Sequence, residues 1–174
     1  MSSSDRRSFL AALAATLPLA ACGFEPLYSA GGAAQALQNQ VDVGFISGRS
    51  GYFLQQRLEQ RFGDPVRDAR FALTVSYTTS GRALTITTAN DTVRLSLQGT
   101  GDFTLRDRVT GETVLRETVT ADSSYAAPTN SGATVNTSPA ATRVSAEDAQ
   151  ELVAQAVAEG IANRILLRSD QFAL

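Results

Sequence analysis

The most regular signal in this chain is an alternation of apolar and polar positions. Phe71, Leu73, Val75 and Tyr77 are separated by Ala72, Thr74 and Ser76, with Thr78 following. A period of two sends one set to a buried face and the other to water, as in a half-buried strand. Leu84 and Ile86 have the opposite parity, so either a bulge or bend near Ser80-Gly81 or an open loop must join the two halves. Val93, Leu95, Leu97, Phe103 and Leu105 repeat the period, and Gly99 and Gly101 keep its parity. Arg94, Ser96, Gln98, Asp102, Thr104 and Arg106 fall on the other side or in the bend. Glycine on the apolar face leaves room for a closely packed helix or for strong curvature. A turn at Asp107 to Gly111 then leads into Val114 to Tyr125, which is strand-like but less apolar.

Two stretches change to the helical period. From Ser50, Phe53, Leu54, Leu58 and Phe62 form one stripe, Gly63 stands where a helix ends in a positive-φ residue, and Asp64-Pro65 stops continuation. Near the other end of the chain, Leu152, Val153, Ala156, Val157, Ile161 and Ile165 form a second stripe. Ser145 with Asp148 resembles a capping box, and Arg164 and Arg168 suit a helix C-terminus. The second helix is therefore expected over about Ala146 to Leu167. A short β-branched run from Val41 to Ile46, with Val41, Val43 and Phe45 on one side, reads as a first strand.

The resulting order is β-α-β-β-β-α. An antiparallel sheet of three to four strands with both helices packed on one face buries every stripe at once, which is an α+β two-layer sandwich. The other sheet face, rich in Thr, Ser and Arg, stays available. Residues 41–170 are expected to form this single domain. Within it, 126–143 contains Pro128, Asn130, Gly132, Asn136 and Pro139 and little to bury, so it reads as a loop too long for a compact domain unless it has a task or a partner.

The first residues have a different character. Arg6-Arg7 precede an apolar run from Phe9 to Ala21 that is too short to span a bilayer but has the form of a signal peptide. Asp5-Arg6-Arg7-Ser8-Phe9-Leu10 resembles the twin-arginine export pattern, with general secretion equally compatible. Leu19-Ala20-Ala21-Cys22 resembles a bacterial lipobox. That resemblance implies removal of 1–21 and attachment of diacylglycerol and an N-acyl lipid to Cys22, with no other cofactor. The stretch from 22 to 40, rich in small residues from Ser29 to Ala36, reads as a flexible tether.

Composition narrows the chemistry. The 174 residues carry a formal net charge of −2, against the basic excess typical of nucleic-acid binders. There is no histidine, and all 15 basic side chains are arginine. A histidine-based triad, a lysine Schiff base and a histidine metal site are thereby excluded, and the single cysteine is already assigned. No Gly-x-Ser-x-Gly elbow occurs. Asp102 and Asp107 are the carboxylates nearest to an acid–base pair, and both read more simply as strand-end and turn residues. No enzymatic activity is expected.

The lipobox, the heptad Cys22-Gly23-Phe24-Glu25-Pro26-Leu27-Tyr28, the element order and the closing amphipathic helix together resemble the LptE lipoproteins of Gram-negative bacteria, in their α-proteobacterial form. The resemblance spans the mature chain, and its sharp motif is the heptad. It implies a lipid-anchored protein on the periplasmic face of the outer membrane that plugs and helps assemble the β-barrel LptD and assists lipopolysaccharide delivery to the outer leaflet. A different envelope role, as an auxiliary lipoprotein of a lipid-trafficking ABC transporter, fits the same signal and tether. Should lipopolysaccharide be a ligand, its phosphates call for arginine. Arg94 and Arg106 share one strand face and Arg82 lies at the nearby bend, so these three are the candidates; the competing reading makes them solvated charges balanced by Asp91, Asp102 and Asp107.

Overall fold

The alternating segments form three long strands, and the two amphipathic stretches cover one side of them. The computed structural model describes residues 33–86, 92–126 and 139–172. In chain order these are α1 (Ala33–Leu37), β1 (Val41–Val43), α2 (Arg49–Phe62), β2 (Phe71–Ile86), β3 (Thr92–Asp107), β4 (Thr113–Ala126), α3 (Pro139–Leu167) and a 3₁₀ turn, Ser169–Phe172. The sheet order is β1-β2-β3-β4. The expected α+β two-layer sandwich is observed, with α1 lying inside the segment read as tether. The signal peptide, Cys22 and residues 127–138 of the expected loop lie outside the described residues.

Two features of the sheet differ from the expectation. β1 pairs with β2 in parallel, Val41 opposite Phe71, so the sheet is mixed. The cause is the connection: a helix between two neighbouring strands returns the chain to the end where it started, whereas the hairpins β2–β3 and β3–β4 reverse it. β1 also ends at Val43 rather than near Ile46. Gly44 N–H still donates to Leu73 O at 2.8 Å, but Phe45 is 87% exposed and Ile46 turns into the core instead. A Cβ on Gly51, in the first turn of α2, would lie 2.8 Å from Ile46 O, so this glycine is what lets the chain fold back on the helix.

The parity change after Gly81 is resolved three residues later than expected. Ser80, Gly81 and Arg82 pair in unbroken register with Gln98, Leu97 and Ser96, and the shifts fall between Ala83 and Thr85 and between Thr85 and Ile86. The second shift restores the register lost in the first, so both strands continue to their ends.

Phe71, Leu73, Phe103 and Leu105 of the sheet meet Leu54, Leu58 and Phe62 of α2 and Val157, Ile161 and Ile165 of α3 in one core. Leu97, Ala149 and Val153, with Tyr125 against them, form a smaller second cluster further along the strands. Gly99 and Gly101 explain how α3 lies so close to β3. A Cβ at Gly99 would be 2.4 Å from Val153 Cγ1, and one at Gly101 would be 2.6 Å from Val157 Cγ1. Of the two readings of these glycines, a closely packed helix or strong curvature, the structure shows the helix. α2 ends at Gly63, with φ 79°, as its sequence indicated.

The second helix is longer than its expected bounds. It begins at Pro139, a residue suited to a first helical turn because it lacks an N–H that would go unbonded there. Residues 139–143, read as loop, are helical, and Ser145 lies inside the helix instead of capping it. The buried stripe also turns slightly from the expected one. Leu152 is 59% exposed and Ala156 is exposed, while Ala154, Ala158, Ala162 and Leu166 are buried beside Val153, Val157, Ile161 and Ile165. Small alanines on that flank let two helices and a sheet meet at one line, which leucine-sized side chains at those positions would prevent. Glu159 of α3 clips the helices together, accepting from Arg57 Nε at 2.6 Å and pairing with Arg61 Nε at 3.3 Å.

Candidate functional site

Because both helices pack on one face, the even-numbered positions of β2, β3 and β4 form a second face that no described element covers. Strands of 16 residues make it roughly 50 Å long at the usual rise per residue. Along β3 and β4 its side chains pair across strands. Arg94 Nε donates to Ser124 Oγ at 3.1 Å, Gln98 Nε2 to Asp122 Oδ1 at 3.1 Å, Thr118 Oγ1 to Asp102 Oδ1 at 2.5 Å and Arg116 Nε to Thr104 Oγ1 at 3.3 Å. Thr100 opposes Thr120 in the same row. Such pairs contribute a few tenths to about 1 kcal/mol each and hold the side chains in a fixed array. A depression toward the end of this face nearer the start of β2 is lined by Thr74, Ser76, Asp102, Thr104, Arg116 and Thr118.

The candidate arginines stand at positions of this parity but are spread along the face. Arg94 and Arg106 stand twelve residues apart on one strand, about 40 Å at the rise of a strand. Arg82 belongs to the Arg94 end, since it pairs with Ser96. Arg106 is at the opposite end, where its Nε donates to Gly111 O at 2.8 Å. The bend that was to bring Arg82 to both others is not there, because β2 runs straight through Gly81. One cation of this face was overlooked: Arg116. Its signal lay in the alternation of Leu115 and Val119, both buried, which sets Arg116 and Thr118 on the outward side.

The two aspartates of the acid–base pairing lie on opposite sides of the sheet. Asp102 is on the polar face, bonded to Thr118. Asp107 is 2% exposed at the end of the core. Its Oδ2 accepts from Arg70 Nε at 3.0 Å and Nη2 at 2.9 Å, and its Oδ1 from Val109 N–H at 2.8 Å and Thr110 N–H at 3.4 Å. Burial pushes this carboxyl up, but the Val109 N–H, the Arg70 guanidinium and the Thr110 N–H together outweigh burial and hold it below the usual carboxylate range. Asp107 therefore closes the β3–β4 turn and anchors Arg70, whose guanidinium also lies 5.1 Å from the centre of the Phe71 ring.

Arg164 and Arg168, expected to serve only as helix-end cations, have a specific partner. Both reach Glu117 of β4, at 3.0 and 3.1 Å, and this glutamate is 17% exposed on the helix side of the sheet. The pair of contacts ties the last turns of α3 to β4.

With the helices on one face and this polar array on the other, solved structures of the same architecture can be placed beside the chain. A candidate lipoprotein from Caulobacter crescentus CB15 superposes with a TM-score of 0.61 at 19% identity, covering 79% of this chain and 96% of its own. A minor lipoprotein from Acinetobacter baumannii gives 0.55 at 22% identity, covering 76% and 94%. The fold is one that lipoproteins use. Rare lipoprotein B of Shewanella oneidensis overlaps too loosely for its likeness to count, at a TM-score of 0.48 and 14% identity over 76% of this chain and 95% of its own. No protein-family model matches the sequence, and no curated protein matches it. At these identities the likeness concerns the fold, and the lipoprotein fold so shared includes nearly the whole of each partner chain.

Proposed function

We propose that this chain is a non-enzymatic lipoprotein of the LptE type, anchored through lipid on Cys22 to the periplasmic face of the outer membrane. In this reading it plugs and helps assemble an LptD-like β-barrel and assists lipopolysaccharide transport to the outer leaflet. The observation that carries the reading is the one-sided sheet: a row of Thr, Ser, Gln98 and hydrogen-bonded Arg and Asp side chains, roughly 50 Å long, left uncovered by the described elements of a domain whose core and helices lie on the other face. An aqueous environment does not require so long a fixed polar array, whereas the interior of a transmembrane barrel is itself polar and can bond to one. The lipobox, the heptad from Cys22 and a fold shared with two lipoproteins point the same way.

The test is isolation of the full-length protein from membranes in mild detergent. A large β-barrel is expected to co-purify in fixed proportion, with fatty-acid label on the wild-type protein and none on Cys22→Ser, and depletion is expected to remove surface lipopolysaccharide. A strictly monomeric extract overturns the plug. Loss of phospholipid asymmetry with surface lipopolysaccharide intact assigns the protein to a lipid-trafficking transporter instead.

A further inference from the structure

The sheet has two edges, and they are built differently. On the β1 side, pairing covers only the start of β2: Phe71 N–H donates to Gln40 O at 2.9 Å and Leu73 O accepts from Gly44 N–H at 2.8 Å. These two bonds fix the direction of the backbone groups. Since N–H and C=O of one strand residue point the same way and alternate along the strand, the odd-numbered residues of β2 face β1 and the even-numbered ones face β3. Arg70 O, accepting from Arg108 N–H at 2.8 Å, agrees for the even set. Past Leu73, β1 has left the sheet, and among the described residues no strand takes its place. The N–H and C=O groups of Val75, Tyr77, Thr79 and Gly81 therefore have no strand partner among the described residues, a row about 20 Å long at the rise of a strand.

Open edges are normally guarded by charge, proline, a bulge or short length. The β4 edge has such guards, with Arg116, Glu117 and Asp122 spread along it. The open part of β2, Thr74-Val75-Ser76-Tyr77-Thr78-Thr79-Ser80-Gly81, has no charge, no proline and no register shift. At its mouth stands Phe45, 87% exposed where the chain leaves β1.

We infer that this edge is a docking site for one added β-strand, supplied by an extended segment of the barrel partner, and this rests on the plug reading above. The strand continues the position that β1 vacates at Gly44, passes Phe45 and bonds to Val75, Tyr77, Thr79 and Gly81. Thr74, Ser76, Thr78 and Ser80 of β2 lie on the polar face, so the added strand widens the same face that meets the lumen. A closed barrel wall has all its own backbone groups paired, so the segment comes from outside the wall. Backbone bonds supply the affinity in this mode of recognition, and the small hydroxyl side chains of β2 admit a partner of polar, alternating sequence.

Amide hydrogen exchange on the full-length lipoprotein, free and in the co-purified complex, tests the inference. In the free protein Tyr77, Thr79 and Gly81 are expected to exchange freely while Thr78 and Ser80 are protected by β3. In the complex the three odd amides are expected to slow by at least about a hundredfold, the protection of a stable ladder. Protection of the odd amides already in the free protein shows that this chain covers its own edge and overturns the inference. Free exchange in the complex overturns it too while leaving the plug intact, and failure of any barrel to co-purify removes both. Thr79→Pro gives an independent readout, since the N–H it deletes points away from β3. It is expected to lower barrel recovery at least about tenfold with unchanged circular dichroism and thermal midpoint, proline being tolerated at a sheet edge. Unchanged recovery with Thr79→Pro counts against the added strand.

Discussion

The two ends of this sheet are stabilised by different means. Near the start of β2, Phe62, Phe71, Phe103 and Leu105 pack with Ile161 and Ile165, and Asp107 and Arg70 close the turn beneath them. Further along, the apolar cluster among the described residues is Leu97, Ala149 and Val153 with Tyr125 against it, and Tyr77 between the two clusters has a buried hydroxyl with no partner among them. The first end is held by packed side chains of the sheet and both helices. The second depends on the strand ladder and on α3 lying against glycine, which is the condition expected of a region that meets a partner.

Three measurements sharpen this contrast. The largest effect is expected from Phe103→Ala, which empties the main core and should cost about 3–5 kcal/mol in chemical denaturation. Leu97→Ala, in the smaller cluster, should cost clearly less, toward the low end of about 2–5 kcal/mol for such truncations. Equal losses would mean that the two ends form one cooperative core. Next comes Gly101→Ala, because its Cβ would stand 2.6 Å from Val157 Cγ1 and 3.3 Å from Ile161 Cδ1. Overpacking of this kind costs about 1–3 kcal/mol, and a thermal midpoint equal to wild type would show that α3 can move away freely. The smallest effect at neutral pH concerns Asp107→Asn. The folded carboxyl titrates below its unfolded value, so its contribution is present above the unfolded pKa and is lost as pH falls through the folded one. Stability measured from pH 7 downward should therefore fall less steeply in Asp107→Asn than in wild type, and identical slopes would remove Asp107 from the acid response.

Much of the fold was legible because it rests on periodicity. The parity of Phe71 to Tyr77 and of Val93 to Leu105 gave the two faces, while Gly99 and Gly101 left a choice between a close helix and strong curvature that only the placement of α3 decides. What escaped depends on contacts that no local pattern contains. The parallel pairing of β1 follows from where α2 returns the chain. Leu152 looks like a core residue by type, and its exposure is decided by Ala154 and Ala158 fitting better where helices meet. Arg82, Arg94 and Arg106 share a parity, but parity says nothing of distance along a strand, and 40 Å of separation, about twelve residues at the strand rise, shows only when the strand is seen to run unbroken. The free edge of β2 was likewise hidden, since a sequence records a strand and not the absence of its neighbour.

The placement of α3 at the end of the chain bears on the order in which the molecule can form. The β2–β3–β4 meander joins neighbours in sequence and can pair early, but the apolar face it creates is covered largely by residues 149–166, which are made after it. β1 in turn waits for β2 across the whole of α2. Until the last thirty or so residues arrive, the strands present Leu73, Phe103 and Leu105 to water on one side and an unguarded edge on the other, a species prone to self-association. On the proposed reading, with lipid on Cys22 holding the N-terminal end at a membrane, such a chain would have to be kept apart from its copies until α3 has folded over the sheet.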